Sequence, residues 1–211
     1  MFMKSEYPGM TRLLKTLDFL CTNYMDVVMV PGNHEYYHSD IDFTNIYIQG
    51  IANRFPNFHP FIPGIFKAPG IHIVGAPLWF RETPNTILYR HLLNDFSQID
   101  EPQMIFTEEK KQRKFLLDSI ETEIPDIVVT HSIPTTLGIN GKYKGSKMND
   151  FYVNPIFDEI PGDTDPPYFV FGHSHASARF TVENSEFICN PYGYHGYEVN
   201  PDFDDNLILE I

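Results

Sequence analysis

Four side chains in three short polar clusters have the chemistry of transition-metal ligands. Asn33 offers an amide oxygen, and His131, His173 and His175 offer imidazole nitrogens. Imidazole suits ions such as Zn, Cu, Fe and Ni. His173 and His175 are two residues apart, so they would share a face on a strand but could diverge toward two neighbouring metals in a turn. These residue types predict a metal centre.

Each cluster directly follows a run that is typical of a buried strand. The runs are VMV before Pro31, VVT before His131 and FVF before Gly172. In open α/β sheets, ligands bind just outside the carboxyl ends of the strands, so three such ends can converge on one site. Gly32 and Gly172 precede candidate ligands, as expected where the backbone turns sharply and approaches a ligand closely.

The rest of the pattern predicts an α/β fold. Apolar spacing predicts a helix over 10–21 and another over 107–121, capped by Thr107, whereas segment 40–54 fits either a helix or a strand. The order of elements predicts an α/β sandwich with a mixed sheet, in a single domain over residues 1–211. Apolar or alternating runs predict strands at Asp26–Val30, Ile71–Ala76, Asp126–Thr130, Tyr168–Phe171, Arg179–Glu183, Glu186–Cys189 and Asn206–Ile211.

Charge and cysteine content restrict the class of function. The chain has 28 acidic and 15 basic residues, a net charge of −13 with histidine neutral. Such a surface repels phosphate backbones and anionic lipids, so we expect neither non-specific nucleic-acid binding nor membrane binding. No run approaches the roughly 18 apolar residues of a spanning helix, and the N-terminal residues contain no apolar signal region. Two cysteines, Cys21 and Cys189, predict a reduced, cytoplasmic protein.

The motifs resemble those of the calcineurin-like metallophosphoesterases. The similarity is carried by Gly32-Asn33-His34-Glu35, Thr130-His131 and Gly172-His173-Ser174-His175, which look like the last three of the family's five blocks. Segments 75–79, 94–96 and 190–194 are similar to bacterial or phage members. Asp95 in the second of these fits either a family-specific loop contact or the surface of a helix end. The resemblance implies the family's α/β/β/α sandwich with mixed sheets.

The same resemblance implies roles for five residues. Asn33, His131 and His173 would hold one ion, termed metal B, and His175 would bind the other, metal A. His34 would be the general acid that protonates the leaving alkoxide, or would help to orient the phosphate. The implied reaction is hydrolysis of a phosphomonoester or phosphodiester by a metal-bound hydroxide, with both ions absorbing negative charge. The expected cofactor is a divalent transition metal: Mn, Fe or Zn.

The sequence departs from the family at the first two blocks. Those blocks, Asp-x-His and Gly-Asp-x-x-Asp, supply metal A and the bridging aspartate, and the 211 residues contain no Asp-x-His. The one Gly-Asp pair, Gly162-Asp163, has the wrong spacing and lies beside the last motif. We therefore expect an N-terminally truncated domain that lacks the first β-α-β unit. One metal ion is expected, and the second is expected to be weak or absent.

Three interpretations of the function remain open at this point. The first is a metal-dependent phosphoesterase that acts on a small phosphoester. The second is a phosphoesterase-like scaffold that has lost catalysis and binds proteins, and the third is one part of a split enzyme. Missing strands would leave backbone groups and an apolar surface open, so we expect a homo-oligomer or a complementing chain.

Overall fold

In a computed structural model that describes residues 8–162 and 164–211, the chain forms two main sheets that pack against each other. Burial is described from residue 12 onward, except at position 163. Residues 1–7, part of the segment in which the sequence predicted no signal region, and Asp163 of the Gly-Asp pair lie outside the described residues. Among the described residues, no helix is long and apolar enough to cross a membrane.

The larger sheet has six strands in the order β3-β4-β5-β6-β8-β7. Its four inner strands, β4, β5, β6 and β8, are parallel, and the two edge strands are antiparallel to their neighbours. In the smaller sheet, β1 pairs in parallel with β2. A short antiparallel hairpin, β9 and β10, follows. The strand bounds are β1 Val27–Met29, β2 Phe58–Pro60, β3 Gly64–Ala68, β4 Ile71–Ala76, β5 Ile127–Thr130, β6 Tyr168–Phe171, β7 Ala178–Val182, β8 Ser185–Cys189, β9 Gly193–Tyr194 and β10 Glu198–Val199.

Helices cover the outer faces of the two sheets. Leu116 packs with Val128 on one face of the larger sheet. On the opposite face, Val28 of the smaller sheet packs with Val129. Val27 points the other way, toward the first two helices. This order of layers confirms the predicted α/β/β/α sandwich. The helix bounds are α1 Pro8–Asn23, α2 Ile41–Ala52, α3 Pro84–Tyr89, α4 Asp95–Gln98 and α5 Met104–Glu123.

The predicted strands agree with the structure except at the end of the chain. Strands β4 and β6 have the predicted bounds, and the other inner strands differ by one residue. The prediction of a strand over Asn206–Ile211 is wrong, because that segment forms no strand. Leu209 packs against the larger sheet, but an apolar pattern forms a strand only where a neighbouring backbone is available for pairing.

The structure decides between the two alternatives for segment 40–54 and corrects the predicted start of α5. Segment 40–54 is a helix, α2, whose start is fixed by the Asp40 carboxylate accepting a hydrogen bond from the Phe43 amide at 2.7 Å. The predicted cap at Thr107 is wrong, because α5 begins at Met104. Ile105 is 0% exposed, so burial of this apolar turn extends the helix past the polar residue that looked like its start.

The side chain of Asn154 connects the loop after β4 with helix α5. The side chain is 0% exposed. Its oxygen accepts from Nε of Arg81 at 2.9 Å, and its nitrogen donates to the Trp79 carbonyl at 2.8 Å and to the Glu109 carboxylate at 3.0 Å. All of its hydrogen-bonding groups are therefore occupied in a buried position, where an unpaired polar group is costly.

We expect Asn154→Ala to lower the free energy of unfolding by about 2–4 kcal/mol, because it leaves buried donors and acceptors without partners. Urea denaturation measures this difference. Asn206→Ala is the matched control, since Asn206 is exposed, and it should change stability by less than about 0.5 kcal/mol. Equal stability of the two variants would contradict the role of Asn154.

Candidate metal centre

The turn that carries Asn33 and His34 directly follows β1. Residues Asn33–Tyr36 form a 3₁₀ turn, and the Glu35 carboxylate accepts a hydrogen bond from the Gly32 amide at 2.8 Å. This hydrogen bond connects the residue before the turn to the third residue of the turn, as in a capping box. Asn33 is 8% exposed, so the turn holds its amide group inside the protein.

His131 follows β5 and lies against this turn. Its amide donates to the Pro77 carbonyl at 3.2 Å, and its carbonyl accepts from the Gly172 amide at 3.1 Å. Its ring nitrogen Nε2 lies 3.1 Å from the side-chain oxygen of Asn33. A Cβ atom at Gly32 would lie 2.6 Å from Cε1 of this ring. Gly32 is therefore required by the close approach of the imidazole.

His173 and His175 follow β6 in a turn rather than on a strand. The Ser174 amide donates to the Gly172 carbonyl at 2.7 Å, and His173 between them has φ 60. This is a three-residue turn with a left-handed central residue, which stores local strain. The turn excludes a shared strand face, and the two rings have different neighbours: His173 contacts His131 and Tyr152, whereas His175 contacts Tyr194 and Glu198.

The rings of His131 and His173 meet in the interior of the site. Their centroids are 4.5 Å apart, and the other side of His173 lies 4.7 Å from the ring of Tyr152. Burial is the largest influence on the pKa of His173 and lowers it to about 4. The Phe151 backbone has the opposite, smaller effect and raises this pKa. Burial also lowers the pKa of His131 well below its usual value. Both imidazoles are therefore neutral at pH 7, the form that binds metals.

The contact between Asn33 and His131 has a spacing compatible with two ligands of one metal ion. Two ligands bonded at about 2.1 Å and about 90° apart lie about 3 Å from each other, which agrees with the 3.1 Å between the Asn33 oxygen and the His131 nitrogen. The ring of His173 packs against that of His131, with the centroids 4.5 Å apart, which places a third ligand-type side chain beside this pair.

A second ion has less support. No group of three or more His, Cys, Asp or Glu side chains in the described part of the chain is arranged to hold a metal. His175 is exposed, and its Nδ1 lies 3.3 Å from a Glu198 oxygen. Its ring meets the ring of Tyr194 edge-on at 4.8 Å. The described residues thus offer metal A one imidazole and one exposed carboxylate.

His34 lies between two tyrosine rings at the surface of the site. Its ring centroid is 4.6 Å from that of Tyr37 and 5.5 Å from that of Tyr194, and its Nε2 lies 3.2 Å from the Tyr194 hydroxyl. Lost solvation lowers the pKa of His34, whereas the Asp95 charge raises it. The net effect is a lowered pKa. The side chain is exposed, and the two tyrosines orient its ring.

The sequence left Asp95 open between a family-specific loop contact and the surface of a helix end. Asp95 is 1% exposed, so its interpretation as a surface residue at a helix end is wrong. One carboxylate oxygen accepts from the Asn33 amide nitrogen at 2.7 Å and from the Tyr37 hydroxyl at 2.7 Å. Burial raises the pKa of this carboxyl, and the two hydrogen bonds oppose that rise. The only sequence signal was the similarity of segment 94–96 to bacterial or phage relatives.

Comparisons with known proteins agree with this arrangement. The family model for calcineurin-like phosphoesterases matches residues 10–177, a range that contains all three motifs. The uncharacterised protein L509 of Acanthamoeba polyphaga mimivirus is 22% identical over 193 residues, 81% of this chain and 69% of that protein. Phosphopantetheinyl hydrolase from Mycobacterium tuberculosis has a similar structure, with a TM-score of 0.67 and 13% identity over 89% of this chain and 79% of that chain. At that identity, the structural likeness shows the fold.

We expect Gly32→Ala to lower the free energy of unfolding by about 1–3 kcal/mol, because the added methyl group displaces the His131 ring from a packed position. Denaturant unfolding measures the loss, and the ring-proton shifts of His131 report the displacement. Gly50→Ala is the control, since nothing lies within 4 Å of a Cβ there. In that exposed helical position, alanine should stabilise the protein by about 0.5–1 kcal/mol. A stabilising effect at both positions would contradict the close approach.

Proposed function

Because the chain belongs to the calcineurin-like phosphoesterase family, we propose that it is a metal-dependent hydrolase of a small phosphomonoester or phosphodiester. The observation that carries this proposal is the contact between three ligand-type side chains at the ends of β1, β5 and β6. The Asn33 oxygen lies 3.1 Å from the His131 nitrogen, and the His131 and His173 rings are 4.5 Å apart. Three protein ligands with open positions are the usual arrangement of catalytic metal sites.

In the proposed reaction, the side chains hold the ion, orient the phosphoester and supply a proton. Asn33, His131 and His173 would bind Mn²⁺, Fe²⁺ or Zn²⁺, which supplies Lewis-acid polarisation of the phosphoester when bound. His34 would donate a proton to the leaving oxygen or a hydrogen bond to the phosphate. A bound phosphate adds negative charge beside His34, which favours its protonated form. Asp95 acts on the imidazole in the same direction.

The proposed substrate is small because the overall charge opposes long polyanions. A net charge of −13 repels the many phosphates of a nucleic-acid backbone far more than the one phosphate of a small ester. The structural neighbour from Mycobacterium tuberculosis is a phosphopantetheinyl hydrolase. A phosphopantetheine ester is therefore included with phosphomonoesters and phosphodiesters of p-nitrophenol in a substrate panel.

We expect the wild-type protein to bind about one equivalent of Mn²⁺ and His131→Ala to bind none detectably, since that variant removes one of three ligands. Isothermal titration with Mn²⁺ after chelator treatment and dialysis measures both. His91→Ala is the matched control, because His91 is an exposed histidine outside the three motifs, and it should titrate like the wild type. Equal binding by the wild type and His131→Ala would contradict the proposed ligand set.

His34→Ala should lower kcat for bis(p-nitrophenyl) phosphate by roughly 10²–10⁴, the usual contribution of a positioned acid. The variant should still bind Mn²⁺ like the wild type, because His34 is not one of the three ligands. Steady-state kinetics at saturating Mn²⁺, with each preparation purified identically, measures the difference. Unchanged turnover in His34→Ala would remove this residue from the mechanism or reveal a contaminating phosphatase.

A second candidate function is a site that works only with another chain, or a scaffold that binds proteins without catalysis. It is favoured by the open side of β1, which pairs with β2 and with no other described strand. Phe19, Tyr24 and Met25, which precede β1 in the sequence, are 63%, 60% and 90% exposed. Large exposed apolar patches are typical of interaction surfaces. A second copy of the chain or a complementing polypeptide would cover this surface.

We expect light scattering to give a mass above that of one chain, and turnover of the isolated chain to lie well below 1 s⁻¹, the lower end of typical enzyme rates. The physical reason is that a single ion cannot stabilise both the attacking and the leaving oxygen. A monomer that turns over at about 1 s⁻¹ or faster would reject this second candidate and leave the first; two bound Mn²⁺ ions would, in addition, contradict the expected stoichiometry of one.

A further inference from the structure

The buried carboxylate of Asp95 contacts the amide of Asn33 on the side that faces away from the histidines. One of its oxygens accepts from the Asn33 nitrogen at 2.7 Å, and the Asn33 oxygen lies 3.1 Å from Nε2 of His131. Both residues are buried, at 1% and 8% exposure. The amide of Asn33 therefore has a different partner at each of its two ends.

An amide side chain can be turned by 180° without changing its shape, which exchanges its oxygen for its nitrogen. With the nitrogen toward the histidines, Asn33 could not act as a metal ligand. An ionised carboxylate only accepts hydrogen bonds, so Asp95 is satisfied by one of the two orientations and not by the other. The orientation that it selects is the one that presents the oxygen to His131.

Tyr37 fixes the carboxylate in turn. Its hydroxyl donates to the same oxygen of Asp95 at 2.7 Å, and the Asn33 nitrogen lies 3.2 Å from that hydroxyl. The other Asp95 oxygen is buried and has no hydrogen-bond partner among the described residues. Both bonds therefore converge on the one oxygen that contacts Asn33, an arrangement that restricts rotation of the carboxylate.

We infer that Asp95 is a positioning residue that selects the metal-binding orientation of the Asn33 amide through its hydrogen bond to the amide nitrogen. This inference rests on the proposed metal site. Hydrogen-bonded neighbours that orient metal ligands typically change metal affinity by about 10–100-fold when removed. Asp95 acts on the ion through Asn33 and contributes no ligand of its own.

The test is Mn²⁺ affinity in the full chain, measured by isothermal titration for Asp95→Ala, Asp95→Asn and Tyr37→Phe. We expect Asp95→Ala to weaken binding by about 10–100-fold. Asparagine at this position carries a donor as well as an acceptor and is satisfied by either orientation of Asn33, so Asp95→Asn should also bind more weakly than the wild type. Tyr37→Phe keeps the Asp95 charge and removes the hydrogen bond that fixes the carboxylate, so it should weaken binding as well. Wild-type affinity in Tyr37→Phe, with a loss in Asp95→Asn equal to that in Asp95→Ala, would assign the effect to the negative charge and overturn the positioning role.

A matched control separates positioning from general loss of stability. Glu109→Gln changes another buried acid, which is 3% exposed and bonds to Asn154 and Arg113. It should leave the Mn²⁺ affinity within about twofold of the wild type even where its melting temperature falls as far as that of Asp95→Ala. An equal loss of affinity in Glu109→Gln would assign the Asp95 effect to stability and overturn the inference.

The same experiment distinguishes this inference from the proposed function. If the wild type binds Mn²⁺ and Asp95→Ala binds it equally well, the positioning role fails and the proposed metal site stands. If the wild type does not bind Mn²⁺, both fail. In the metal-free protein, the side-chain amide resonances of Asn33 should shift in Asp95→Ala, because a bond to a carboxylate is lost. Unchanged resonances would show that the bond does not form in solution.

Discussion

The site depends on one amide group that connects the two sheets. Asn33 follows β1 of the smaller sheet, and its oxygen lies 3.1 Å from the ring of His131, which follows β5 of the larger sheet. Its nitrogen contacts Asp95 at the start of α4 at 2.7 Å. The two sheets also pack through apolar side chains, which attract without fixing direction. Hydrogen bonds are directional, so the contacts of this amide restrict how the end of β1 lies against the end of β5.

The pairing of β5 with β6 brings the two histidines together. These strands are parallel neighbours, so His131 and Gly172 leave the sheet side by side and remain joined by a 3.1 Å hydrogen bond. The next residue, His173, turns back through a left-handed conformation with φ 60. A conformation of this kind costs about 1–3 kcal/mol and persists where its surroundings determine it. Here the surroundings are the rings of His131 and Tyr152.

The sequence was informative where local patterns decide structure. Apolar runs predicted β4 and β6 to the residue, and the polar residues after three strands were predicted to converge, as observed. Strands β1 and β5 lie in different sheets. The apolar runs could not predict this, because an apolar run does not indicate which other strand it pairs with. The contact between Asp95 and Asn33 joins residues 62 positions apart. An acid in Leu-Leu-Asn-Asp-Phe looks the same in sequence whether it is buried or exposed, so its place in the site depends on tertiary packing.

The loop after β4 gives the protein a built-in optical reporter. Trp79 is the only tryptophan in the 211 residues, and it is 4% exposed. Its carbonyl accepts from Asn154, and Pro77, two residues earlier, accepts from the amide of His131. Intrinsic fluorescence excited at the indole band therefore comes from one fluorophore, held in the loop that supports His131. A shift of its emission toward the red reports water reaching that loop, without any label attached to the chain.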